Sequence, residues 1–266
     1  MIELVGTRSV PADAAAQLLT SNWQRVLGTP QVFCMAASDI EWRRLSAQSS
    51  GSYDSLALCW DILSERGQLT NASASHLFRQ SERFAEVIGR RAMPMPVPGD
   101  ISKVAHDLTK IQEQLDVGVS LAVIQRTAQV SERDLWVICS KLGLQFFADG
   151  SFDWRVPQHP SPLLSVTPIG DVEAFSLGAV QKGAIHEGVT VGFSVPRCPA
   201  PSQALEGAFH VADAIATHID GVVIDDSSRV LTAEIKSEMR NSLSLAEDAL
   251  KSLNIEPGSP SCLKLF

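Results

Sequence analysis

Six histidines, five cysteines and one adjacent pair of aspartates are the residues of this chain best suited to chemistry. A structural or catalytic metal needs His, Cys or carboxylate ligands converging at fixed spacing. His76, His106, His159 and His186 are dispersed along the chain. His210 and His218 stand eight residues apart in one helical pattern, with no cysteine at ligand spacing. All six read as surface or boundary histidines, and neither a metal nor a cofactor is expected. Cys34, Cys59, Cys139, Cys198 and Cys262 form no C-x-x-C pair, and their odd number points to reduced thiols. Asp225-Asp226 resembles a catalytic carboxylate pair only in writing. Adjacent side chains at a strand end point to opposite sides, so the expectation is a turn whose carboxylates accept local backbone N–H groups. No G-x-G-x-x-G, P-loop or G-x-S-x-G motif occurs. No catalytic residue is assigned, and the chain is not expected to be an enzyme.

The composition narrows the partners. The chain has 266 residues, 45% of them hydrophobic and 20% charged, enough to fill one large core or two ordinary ones. A formal charge of -8 disfavours nucleic acid and anionic lipid as principal partners. No apolar run approaches the roughly 20 residues that span a bilayer. Met1 leads almost directly into a strand pattern, so the expectation is of a piece that begins at a domain boundary.

The elements that must position any site are clearest between 188 and 232. Val189, Val191, Phe193 and Val195 alternate with Thr190, Gly192 and Ser194, the pattern of a strand with one face on a core. Leu205, Ala208, Phe209, Ala212, Ile215 and Ile219 recur at helical spacing and can cover that inner face. A short apolar strand, 221–224, leads to the Asp225-Asp226 turn, and Thr232 is suited to cap a final helix.

The same order of elements is expected twice. In the second half a strand at 119–125 precedes a helix over 131–142, then a hairpin over 144–155 with its tip at Ala148-Asp149-Gly150. In the first half a strand at 2–7 precedes a helix over 12–27, then 31–35 and 38–43; "DIEWR" echoes "SFDWR". Segments 56–63, 75–88 and 91–97 then correspond to 189–195, 205–219 and 222–226. Too few residues separate Trp42 from Leu56 for a counterpart of 163–181, so the first copy reads as a plain β-α-β-β-α-β unit and the second as one with an inserted strand. Pro94, Pro96 and Pro98 put their strand on an edge. The fold class expected is α+β: tandem split β-α-β, ferredoxin-like modules at 1–116 and 117–266, with antiparallel sheets and helices on one face. The join at 112–118 has no Gly/Ser linker, so the two copies are expected to pack as one body.

The ordered set Gly188-Val189-Thr190, Val195-Pro196, Gly221-Val222-Val223-Ile224-Asp225-Asp226, Arg229 and Leu231-Thr232, with Leu163-Leu164-Ser165-Val166 upstream, resembles the C-terminal domain family of ZipA over about 118–253. The duplication, and the tail Ile255-Glu256-Pro257-Gly258-Ser259-Pro260 running on to Phe266, resembles the betaproteobacterial branch. The resemblance implies a non-enzymatic cell-division domain that binds the FtsZ C-terminal peptide and tethers the division ring to the cytoplasmic side of the inner membrane. Contact with that membrane would come only through an N-terminal helix absent from this chain. In the family the peptide lies on the helix-free face of the sheet. The residues alternating onto that face here are Ser120, Ala122, Thr167, Ile169, Thr190, Gly192 and Ser194, with Phe152 expected to join them. Thr167 and Ile169 fall on the family's Ala and Met, and Thr190 on its Thr. The pattern also departs from the family. Gly192 replaces a Phe, Ser120 and Ala122 replace bulkier groups or Asn, and Asp171 replaces a Lys. The trough is therefore either a deeper slot for large peptide side chains or a face covered by the first repeat. Two other readings stay open: a scaffold for another division protein whose tail site has decayed, and a small-molecule sensor built from paired ferredoxin-like modules.

Overall fold

The computed structural model describes residues 1–64, 67–126, 129–170 and 174–266. Asp171, singled out above, lies outside the described residues. The chain divides into two compact units, Met1–Lys110 and Ile111–Phe266.

In the first unit the main sheet is built from β1 (Ile2–Val5), β2 (Gln31–Met35), β3 (Arg43–Arg44), β4 (Ser55–Cys59) and β5 (Arg91–Pro94), in the order β3-β2-β4-β1-β5. All pairings are antiparallel. The proline-rich strand β5 does lie at an edge, where a missing N–H costs no ladder bond. The helix expected over 12–27 is instead two short ones, α1 (Ala12–Ala16) and α2 (Ser21–Val26), joined by a 3-10 turn. The break falls at Thr20, whose extended backbone (ψ 147) starts a new helix, while its hydroxyl donates to the carbonyl of Gln17. Helix α3 (Asn71–Val87) is capped by Thr70, whose hydroxyl accepts from Ser73 N–H. It packs Phe84 and Ala85 into a core with Leu4, Leu18, Leu56 and Leu58. Helix α4 (Ile101–Leu115) runs without interruption through the boundary between the units.

The second unit holds β6 (Gly118–Gln125), β7 (Gln145–Phe146), β8 (Phe152–Arg155), β9 (Pro162–Ile169), β10 (Gly188–Ser194) and β11 (Gly221–Asp225), in the order β7-β8-β9-β10-β6-β11. Its helices are α5 (Glu132–Lys141), α6 (Leu177–Lys182), α7 (Pro201–Ile219), α8 (Ala233–Ser252) and α9 (Pro260–Leu265). Leu121, Val123, Val189, Val191, Leu164 and Val166 point to one side of the sheet, where they meet Leu205, Ala208, Phe209, Ala212 and Ile215 of α7. Gly207 lets α7 settle onto the sheet: a Cβ there would stand 2.9 Å from the Trp154 ring. The C-terminal tail belongs to this unit. Gly258 N–H donates to the Pro196 carbonyl at 2.8 Å, and Cys262 is fully buried.

By sheet position, β2 of the first unit matches β9 of the second, and not the 144–147 segment with which sequence aligned it. With no further strand between them, β2 pairs directly with β4. The strand that the first sheet lacks is therefore the outermost one. Both units are α+β, with two interleaved β-α-β crossovers.

Candidate functional site

The helix-free face of the second sheet is defined by register. Ile169, Gly188, Ile124 and Val222 lie in one row across β9, β10, β6 and β11. Thr167, Thr190, Ala122 and Ile224 form the next row, and Ser165, Gly192 and Ser120 the third. None of these side chains joins the buried core. The face is thus graded, with branched aliphatics at one end and hydroxyl groups at the other. Seven of the eight residues expected on this face stand there: Ser120, Ala122, Thr167, Ile169, Thr190, Gly192 and Ser194. Ser194 does so only by position, because its hydroxyl is closed off from solvent and has no hydrogen-bond partner.

Phe152 is a correction. It pairs with Val166 and turns to the core side, 1% exposed, its ring edge-on to Trp136 (4.9 Å) and Phe175 (5.2 Å). Asp153 takes the other side, pairing with Ser165. A charged residue between Phe152 and Trp154 suggests a solvent-facing position for Asp153. It is 1% exposed, and its burial is offset by Ser151 Oγ at 2.7 Å and a two-pronged Arg155 guanidinium at 2.6 and 2.9 Å. A buried carboxylate is tolerable once paired in this way.

Periodicity also missed members of the face. Ile124, Ser165, Val222 and Ile224 share it. The alternation through β6 held the signal for Ile124, but the short strand 221–224 reads as uniformly apolar and hides which of its residues turn outward.

Gly192 has a physical reason beyond leaving space. A Cβ there would meet the Val119 carbonyl oxygen at 2.6 Å, and one at Gly188 would collide with the Val123 carbonyl. The two glycines let β10 lie close against β6, so the floor of the face is bare backbone. Clefts open at both ends. One of about 260 Å³ lies beyond Ser120, lined by Val117, Val119, Asp226, Arg229 and Leu243. Another of about 270 Å³ lies beyond Ile169, lined by Gly170, Ala184, Glu132 and His186.

Glu132 and His186 form the least expected pair. Both are buried, and Glu132 Oε2 lies 3.0 Å from His186 Nε2. Glu132 Oε1 accepts from Ser176 N–H at 2.7 Å and from Trp136 Nε1 at 3.3 Å. One carboxylate thus joins α5, the start of α6 and the strand segment before β10. No sequence signal connected these residues, since 54 positions separate them. The Asp225 turn forms as expected: Oδ1 accepts from Ser227 N–H (3.0 Å) and Arg229 N–H (2.8 Å), and Oδ2 from Arg229 Nε (2.8 Å). Those contacts, the Arg229 backbone N–H first, hold the Asp225 carboxyl below its ordinary pKa. Burial raises the thiols of Cys139 to about 12 and Cys198 to about 11, so neither is a poised nucleophile. Among the described residues no cluster of three or more His, Cys, Asp or Glu side chains could hold a metal ion.

Residues 118–242 match the family described as ZipA, C-terminal FtsZ-binding domain. Over this range the second unit is similar to that domain family. The match begins at the first residue of β6 and ends within α8, so it takes in every strand of the second unit's main sheet and the whole helix-free face. No curated protein matches the chain. The last part of α8 and the tail through α9 lie outside the matched range, although Leu243, Leu250 and Cys262 complete the second unit's core. Among the described residues no helix is long and apolar enough to cross a membrane.

Proposed function

We propose that the second unit is a non-enzymatic docking domain that binds the C-terminal peptide of FtsZ on its helix-free sheet face, and that in the cell it helps hold the division ring at the inner membrane. The observation that carries this reading is the row of Ile169, Gly188, Ile124 and Val222: three aliphatic side chains outside the core, on a family match described as FtsZ-binding. A face without helices stays open to a partner. Here the peptide would rest its apolar side chains on Ile169, Ile124 and Val222, above the bare backbone of β10. The hydroxyls of Thr167, Thr190 and Ser120 would meet its polar groups. A contact this small fits micromolar affinity, about -8 kcal/mol.

The test is titration of a labelled FtsZ tail peptide against the purified chain. Covering Ile169 removes an aliphatic side chain from water, a gain of roughly 1.5–3 kcal/mol. Ile169→Glu is expected to weaken binding at this face at least tenfold, about 1.4 kcal/mol. Circular dichroism is expected to stay unchanged, because Ile169 lies outside the core. Unaltered affinity in a folded variant would move the reading to a scaffold whose tail site has decayed.

A further inference from the structure

The first unit also has a helix-free sheet face, and it is the richer of the two in large apolar side chains. Phe33, Ala57, Glu3 and Met93 form a row across β2, β4, β1 and β5. Met35 follows Phe33 onto the same side by alternation along β2. Met95 N–H donates to the Met1 carbonyl at 2.8 Å, which extends the β1–β5 pairing and puts both side chains beside Met93. Four of the chain's five methionines therefore share one face. Met1 is 40% exposed, Met93 53% and Met95 51%. Unbranched thioether side chains mould themselves to apolar partners and recur on surfaces that capture peptides, and an exposed cluster of this kind marks an interaction site.

Size and charge select the occupant. Strands of four or five residues rising ~3.3 Å per residue, set ~4.8 Å apart, make a patch about 15 Å on a side. That is far below the ~800 Å² each partner of a stable dimer buries, so the patch suits a short peptide better than a second copy of the chain. Arg44, paired with Phe33 at one rim, and Arg91, paired with Val5 at the other, are exposed on this face. Neither makes an ion pair among the described residues. A peptide that is the end of its chain carries a carboxylate, the group a guanidinium at the rim binds best. On the second unit's face the corresponding wall carries the Asp153 carboxylate, whose Arg155 partner is already engaged.

We propose that this methionine-rich face is a second docking site for the FtsZ tail, holding apolar peptide side chains on Met93 and Met95 and the terminal carboxylate on Arg91. The proposal rests on the tail-binding reading above and adds a second peptide per chain. Calorimetric titration of the full chain with the FtsZ C-terminal peptide is expected to give two peptides bound. Met93→Glu should reduce the number to one, and Arg91→Ala or an amidated peptide should weaken the same site at least tenfold. Ile169→Glu should remove the other site. In the unaltered chain, saturating peptide should slow peroxide oxidation of Met93 and Met95, read by mass analysis. One peptide bound, lost with Ile169→Glu and untouched by Met93→Glu, would overturn the second site and leave the first standing. Oxidation of Met93 and Met95 at the same rate with and without peptide would overturn it as well.

Discussion

Gly192 shows how one position can carry two opposite expectations. From sequence it reads as a vacancy where a ring would otherwise stand, so filling it promises to probe the depth of the face. The Val119 carbonyl, 2.6 Å from where a Cβ would be, changes that: any side chain must first push β6 and β10 apart. Gly192→Ala is expected to cost about 1–3 kcal/mol as overpacking, and a larger residue such as Phe would mix pocket depth with strand strain. Thermal unfolding checks this, since 1 kcal/mol lowers the midpoint by about 2–4 °C in a chain of this size. Glu132 makes the opposite case, a charged residue whose importance no spacing announced. Glu132→Ala would leave Ser176 N–H and His186 without their acceptor, each cost falling at about 1–3 kcal/mol. Glu132→Gln keeps an acceptor oxygen and should lose clearly less. Equal midpoints for the two variants would show that the pair carries no weight.

Strands and helices were legible where one period dominated. Val189, Val191 and Phe193 alternate with small polar residues, and β10 has that face pattern; α7 follows from Leu205 to Ile219 in the same way. The cap at Thr232 was readable too, and its hydroxyl accepts from Ile235 N–H. What failed lacked an asymmetry to read. In β8 an ion pair buries the charged Asp153, so polarity misleads as to which face Phe152 takes. In α1 and α2 the alanine-rich pattern concealed the break at Thr20. The site was legible only as a face, because pairings between strands distant in sequence fix which residues become neighbours. The turn after β11 supports one prediction of its own. Its contacts hold the Asp225 carboxyl below the ordinary pKa. Their stabilisation is therefore complete above the unfolded value of about 3.9 and is lost as pH falls through the lower folded value. Asp225→Asn should lower the unfolding midpoint near neutral pH and flatten its fall below pH 4. An unchanged acid limb would assign that fall to other carboxylates.

Across the whole chain, charge is not evenly shared. Residues 1–110 contain eleven Lys and Arg against eleven Asp and Glu; residues 111–266 contain eleven against nineteen. The full -8 therefore belongs to the second unit, and the first is neutral. Element order in the sequence pairs 31–35 with 144–147, whereas sheet order sets β2 opposite β9, because pairing partners are chosen in space. The boundary between the units lies inside α4. Proteases need an extended segment, and a continuous helix does not offer one. Limited digestion is accordingly expected to cut exposed loops before it cuts within 101–115. Early appearance of a stable fragment beginning near residue 111 would contradict this.

The close seating of β10 against β6 limits how this protein can be retuned. At the strand spacing of this chain, a side chain at Gly188 or Gly192 must shift β10 from β6 before a ligand is met. Under the docking role proposed above, a changed peptide preference in this chain would have to come from β9, β6 and β11, at Ile169, Ala122, Ile124, Val222 and Ile224. Libraries randomised at those five positions should yield folded variants with altered preference. Libraries randomised at Gly188 and Gly192 should return glycine.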